Sequence, residues 1–241
     1  MIGGAALAAA PQHFVSGSSR VALIELYTSE GCSSCPPAER WIAARRDDAG
    51  LWKDFVPVSF HVDYWNRLGW TDRFSTKDFT QRQYALAAAW NSESVYTPCF
   101  VRDGAEWRSA GERTVRPDGA TAGPLALTLD GGRLRVEFTP AGASAKARAR
   151  DDFEIHLALL GGGLVSKVTS GENSGATLRQ EFVALALASH ALAPGGDGVQ
   201  QAEFELPAPA VKNAAPRAIA AWVTRRGQFE SVQAVGGWLT P

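Results

Sequence analysis

Cysteine is scarce, with three in 241 residues. A dense disulfide framework is thereby excluded, and a chain of this length buries enough surface to hold a core without one. No sign of charge dominates. Lys and Arg number 24 against 25 Asp and Glu, a net charge of −1, so no bulk attraction to nucleic acid or to an anionic membrane is expected. No apolar run approaches the roughly 20 residues that cross a bilayer, so no transmembrane segment is expected. Phosphate-binding loops and dinucleotide fingerprints are missing, and Gly161-Gly162-Gly163 reads as a hairpin turn. A G-x-S-x-G nucleophile elbow is missing too, which sets aside hydrolysis by Ser33, His61 and Asp63. Nothing implies a cofactor.

Two of the three cysteines stand together in Cys32-Ser33-Ser34-Cys35-Pro36-Pro37. The preceding run Val21–Tyr27 has the texture of a buried strand. Pro37 to Asp48 reads as a helix, because proline suits a first helical turn. Phe55–Val62 reads as a second strand, Tyr64–Phe74 as an aromatic loop and Lys77–Trp90 as a second helix. Pro98–Arg102 and Ala105–Ala110 flank Asp103-Gly104 as a hairpin. Residues 21–111 thus read β-α-β-α-β-β, an α/β unit with a parallel sheet.

The breaker-rich stretch Arg116–Pro124 marks a boundary. Beyond it, about eight strands with Gly-rich turns indicate a β-sandwich-like unit: Leu125–Leu129, Arg133–Phe138, Phe153–Leu160, Leu164–Thr169, Thr177–Ala188, Ala202–Leu206, Arg217–Thr224 and Gln228–Val235. Ala141–Arg150 reads as a short helix or a loop. The expected organisation is an apolar tail over 1–19, an α/β domain over 20–116 and an all-β domain over 124–241. Met1–Ala10 has the small apolar character of the back of a secretory signal without its basic front, or of an Ala-rich tail. Export places the chain in the periplasm or outside the cell, where a disulfide persists.

A cysteine pair opening a helix inside a βαβ pattern reads as a thioredoxin-like redox motif. Partial positive charge at the helix start favours a Cys32 thiolate, so Cys32 is expected to be the exposed nucleophile and Cys35 the resolving thiol. Ser33 and Ser34 are expected to cap the helix. Thr97-Pro98, just before the hairpin, is placed to be a cis-proline facing the dithiol. His61 closes the second strand at the same sheet edge. It is placed to tune the thiolate, to bind metal, or to hold the aromatic loop. Asp63 caps that loop or orients His61. The resemblance to thioredoxin-like proteins implies a buried acid below the dithiol, and Glu25 is that acid or a structural one; it lies seven residues before Cys32 where the resemblance implies six, and one residue changes the strand face. Tyr64, Trp65 and Trp70 form an aromatic segment for ligand binding or for packing.

The segments Glu25–Glu39, Phe60–Trp65 with Leu68-Gly69-Trp70, Val95–Pro98, and Gly171-Glu172-Asn173-Ser174-Gly175 with Leu178 resemble a bacterial secreted family of unknown function with a thioredoxin-like fold. The resemblance spans about residues 20–235. It implies that fold and export, and no settled reaction. Two features depart from it. Arg113–Gly123 holds too many breakers for a closing helix, and Cys99 stands beside the proline.

Three functions remain open from sequence. The first is thiol–disulfide exchange with protein or small-molecule disulfides, using Cys32, Cys35 and Pro98 supported by Thr97. The second is thiophilic metal binding by Cys32, Cys35, Cys99 and His61. The third is a binding module with a permanent Cys32–Cys35 disulfide.

Overall fold

The computed structural model describes residues 10–108, 115–142, 152–211 and 214–240. The secretory-signal reading of Met1–Ala10 and the helix-or-loop reading of Ala141–Arg150 fall largely outside them. The chain opens with β1 (Gln12–Val15), then β2 (Ala22–Thr28), α1 (Pro36–Ala43), β3 (Phe55–His61), α2 (Lys77–Ala89), β4 (Cys99–Arg102) and β5 (Ala105–Glu106). The second half holds β6 (Leu125–Asp130), β7 (Arg133–Phe138), β8 (Phe153–Gly161), β9 (Leu164–Lys167), β10 (Thr177–Gln180) and β11 (Val183–Ala191). It closes with β12 (Ala193–Pro194), β13 (Gln200–Glu205), β14 (Ala218–Arg225) and β15 (Ser231–Trp238).

The expected α/β thioredoxin-like unit is not what forms. Strands dominate, with α1 and α2 the two α-helices among the described residues. Strands β2 to β5 are one side of an eight-stranded sheet, ordered β15-β14-β8-β11-β3-β2-β4-β5, that continues into the second half. The joint is β3 to β11, where Val183 pairs in parallel with Ser59 and the Ser59 amide donates to the Phe182 carbonyl at 2.8 Å. The physical reason is edge satisfaction. All seven residues of β3 are buried, and a buried flank has to be covered; β11 meets it at this one rung. The local pattern supplied β2; the other partner lies more than 120 residues away.

Helix α1 ends early because Ala44–Asp47 tightens into a 3₁₀ turn. Thr76 caps α2 by accepting from the Phe79 amide. The expected strand Thr177–Ala188 is two strands, broken at Phe182, whose φ of 56° interrupts extended backbone. A five-stranded sheet, β1-β6-β7-β13-β12, covers the far half of the large sheet. Its Leu127, Leu134, Val136 and Phe138 pack on Ile155, Leu157, Ile219 and Val223. Alternate residues of β8 and β14, among them Ala158, Leu160 and Trp222, join the core around β2 and β3. Strands β9 and β10 form a separate two-stranded hairpin.

Candidate functional site

Cys32 and Cys35 form a disulfide with their Cα atoms 5.4 Å apart. Cys32 follows β2 on a turn in which its amide donates to the Ser29 carbonyl at 3.1 Å. Cys35 is the N-cap of α1. Pro36 and Pro37 occupy the first helical turn and bring no N–H groups, while the Ala38 and Glu39 amides both donate to the Cys35 carbonyl. The serines do not cap the helix as expected, since the cap position falls to Cys35 without a side-chain bond. Ser34 Oγ lies 3.3 Å from Cys32 Sγ, and Ser33 turns to Glu172.

The Thr97-Pro98 bond is cis. The Thr97 carbonyl oxygen lies 3.8 Å from Cys32 Sγ, so this loop and the disulfide are brought together. Trp65 ties them further: its Nε1 donates to Thr97 Oγ1 at 2.8 Å. The exposed sulfur expected of Cys32 is not found. Cys32 and Cys35 are both 0% exposed, although Ser33 and Ser34 between them face solvent. The 168–176 connection of the β9–β10 hairpin reaches the backbone of the same turn. Asn173 Nδ2 donates to the carbonyls of Glu30 and Cys32, at 2.9 and 3.0 Å.

Behind the disulfide lies a buried polar cluster. His61 Nδ1 and Asp72 Oδ2 are 2.6 Å apart, both fully buried. Asp72 also accepts from the Glu30 amide at 2.8 Å, Trp70 Nε1 donates to Glu30 Oε2 at 2.9 Å, and Thr28 Oγ1 donates to Glu39 at 2.8 Å. Burial pulls the His61 pKa down, but the Asp72 carboxylate, with Glu39 and Glu30 beyond it, outweighs burial and the net shift is upward. Burial lifts Asp72, yet His61 outweighs it and holds the acid below its usual range. Burial raises Glu30 and Glu39, and Asp72 adds to both. Glu30 Oε1 and His61 Nε2 find no hydrogen-bond partner among the described residues.

Residues 23–224 match a family described as a protein of unknown function, DUF1223. The chain belongs to the DUF1223 family. No curated protein matches it. Its fold is similar to that of protein AGR_C_4864 from Agrobacterium tumefaciens, at a TM-score of 0.65 and 22% identity over 91% of this chain and 94% of that one. It is also similar to HBP35 of Porphyromonas gingivalis, at a TM-score of 0.57 and 14% identity over 92% of this chain and 76% of that one. At these identities the likeness concerns fold.

The remaining expected site residues of this DUF1223 chain divide between two faces of the sheet. Glu25, Tyr27, Phe60 and Cys99 share the α2 face through their register. There Glu25 accepts from Arg82 and from the Tyr27 hydroxyl, so the odd spacing to Cys32 is explained by an acid that serves an ion pair away from the disulfide. Burial pushes the Cys99 thiol up to about 11. His61 is on the opposite face from Phe60, and its ring meets the edge of Phe74 in the aromatic loop. The quartet Cys32, Cys35, Cys99 and His61 is therefore not assembled, and no group of three His, Cys, Asp or Glu among the described residues is placed to hold a metal. Asp63 ties the loop to α2 by accepting from Thr80 Oγ1 at 2.6 Å. Of the aromatics, Trp65 and Trp70 wrap the dithiol turn, while the Tyr64 hydroxyl donates to Gln83 on α2. No helix is long and apolar enough to cross a membrane among the described residues. Sequence reasoning missed Glu30 and Asp72, which carry no spacing signal, and gave Glu172 and Asn173 no role although their motif stood out.

Proposed function

We propose that this chain is a thiol–disulfide oxidoreductase of the cell envelope, acting on protein or small-molecule disulfides through the Cys32–Cys35 couple. The observation that carries the reading is the Cys32–Cys35 disulfide at the start of α1 with the Thr97 carbonyl, just before cis Pro98, against Cys32 Sγ. In the reduced protein, a Cys32 thiolate attacks a substrate disulfide. One substrate sulfur leaves as a thiolate and takes a proton, and the other stays bonded to Cys32. Cys35 then attacks Cys32 Sγ after losing its proton, which re-forms the Cys32–Cys35 bond and releases the second substrate thiolate. Two electrons pass to the substrate and the couple ends oxidised. Backbone of the 97–98 turn is positioned to run beside an extended substrate segment.

The test is catalysed reduction of a disulfide-bonded polypeptide by dithiothreitol, with Cys32→Ser as the comparison. Loss of the rate enhancement in the variant supports the reading, and an unchanged rate in the variant sinks it.

A second reading is favoured by one observation, the complete burial of both sulfurs: the disulfide is a permanent staple. Its loop of four residues works against this, because chain-entropy stabilisation from so short a closure is only about 2 kcal/mol. The reduction potential separates the two. A value below about −300 mV is that of a bond that resists ordinary exchange.

A further inference from the structure

The Gly171–Gly175 motif has a place in the structure that the dithiol chemistry alone does not use. The β9–β10 hairpin makes no backbone ladder with either larger sheet. Two strands of four residues are marginal by themselves, so side-chain contacts decide where the tip sits. Glu172 Oε2 accepts from the Ser33 amide at 3.1 Å and from Ser33 Oγ at 2.7 Å. Asn173 holds the carbonyls of Glu30 and Cys32. Ser170 Oγ donates to the Gly69 carbonyl at 2.6 Å. Gly171, at φ 75°, lies so close to Trp70 that a Cβ there would come within 3.1 Å of the Trp70 Cβ.

The Glu172 and Ser170 bonds are exposed, and water can replace them at little net cost; the two from half-buried Asn173 reach carbonyls of buried residues. The two sulfurs are closed off from solvent, and the tip holds the Cys32 carbonyl and the Ser33 amide beside them. We propose that the hairpin tip, residues 170–174, is a latch on the Cys32–Cys35 couple: fastened, it keeps thiols away from Cys32 Sγ, and released, it admits them. The inference rests on the oxidoreductase reading for its purpose, though not for its test. Release has a second effect. It frees the Ser33 amide and hydroxyl from the Glu172 carboxylate, so that both become donors beside a Cys32 thiolate.

The latch is tested on the full chain by timing the reduction of its own disulfide by dithiothreitol, trapped by alkylation and read by mass. A dithiothreitol thiolate bonds to Cys32 Sγ, the Cys32–Cys35 bond breaks and Cys35 leaves as a thiolate. The second dithiothreitol thiol then closes its ring and releases Cys32. Glu172→Ala combined with Asn173→Ala is expected to be reduced at least tenfold faster than the unaltered chain. A rate within twofold overturns the latch. Hydrogen exchange in the unaltered chain gives a check that needs no variant. The Ser33 amide is expected to exchange well before those of Leu26 and Phe60, and exchange of all three together overturns the latch. Faster reduction without activity on polypeptide disulfides keeps the latch and removes the oxidoreductase reading. Activity with an unchanged reduction rate does the reverse.

Discussion

On the α2 face of β2 and β3, Glu25 is closed in by Arg82 and Tyr27, while the guanidinium of Arg82 also lies over the rings of Phe60 and Trp222. On the other face and at its rim, His61 shares its surroundings with Asp72, Glu30 and Glu39. The first set pairs one acid with one base in an aromatic enclosure. The second has three acids against one histidine, so its charge depends on which protons are bound. Burial is common to both and does not tell them apart. Charge balance does, and the unbalanced set includes Glu30, two residues before Cys32, and Glu39, whose amide donates to the Cys35 carbonyl.

Breaking the balanced set should cost most. Arg82→Met leaves the Glu25 carboxylate buried without its partner, an expected loss of about 3–5 kcal/mol by urea unfolding. Adding Glu25→Gln should return much of it, and a single-variant loss below about 1 kcal/mol would contradict the pairing.

Next comes Asp72→Asn, with an expected loss of about 1.5–3 kcal/mol, the range for a buried hydrogen bond to a charged group. Its pH dependence sharpens the contrast. The raised His61 contributes stability that is full below its unfolded value, about 6.5, and is lost as pH rises through the higher folded value. The lowered Asp72 contributes stability above about 3.9 that is lost as pH falls through the lower folded value. The unaltered chain should therefore lose stability as pH rises above about 6.5, and the variant should flatten that slope.

Glu39→Gln is smaller and opposite in sign. A carboxyl raised by burial costs stability as pH climbs from its unfolded to its folded value. Removing it should stabilise the chain by no more than about 1 kcal/mol at pH 8, with the Thr28 bond kept. A clear destabilisation at that pH would show that Glu39 is needed ionised. The smallest effect is at Cys99. With its thiol pushed up to about 11, about one part in a thousand is thiolate at pH 8, so maleimide should leave it unlabelled in the folded chain.

Local pattern carried the first half far. The apolar run before Cys32, the two prolines after Cys35 and the helix that starts at Lys77 are where periodicity and breakers put them, and the turn at Thr97-Pro98 meets the disulfide. Counting residues from Glu25 to Cys32 already raised the question of which face the acid takes. What local pattern lacks is the partner across long sequence distance. Ser59 and Val183 pair across the two halves, and nothing in either segment names the other. Glu172 reaches Ser33 over 139 positions, so its motif was visible while its task was not. Asp72, in a loop of ordinary polar and aromatic residues, becomes informative only once His61 is beside it.

The single parallel rung between β3 and β11 has a consequence for how the chain can be divided. A fragment ending near residue 116 would keep both helices and the disulfide, yet it would bare the flank of β3, seven residues long and apolar for most of its length. Such a flank invites a second molecule to dock on it strand to strand. The disulfide turn is thus hostage to the chain's later strands, and expressing residues 1–116 alone should yield aggregates where the whole chain stays dispersed.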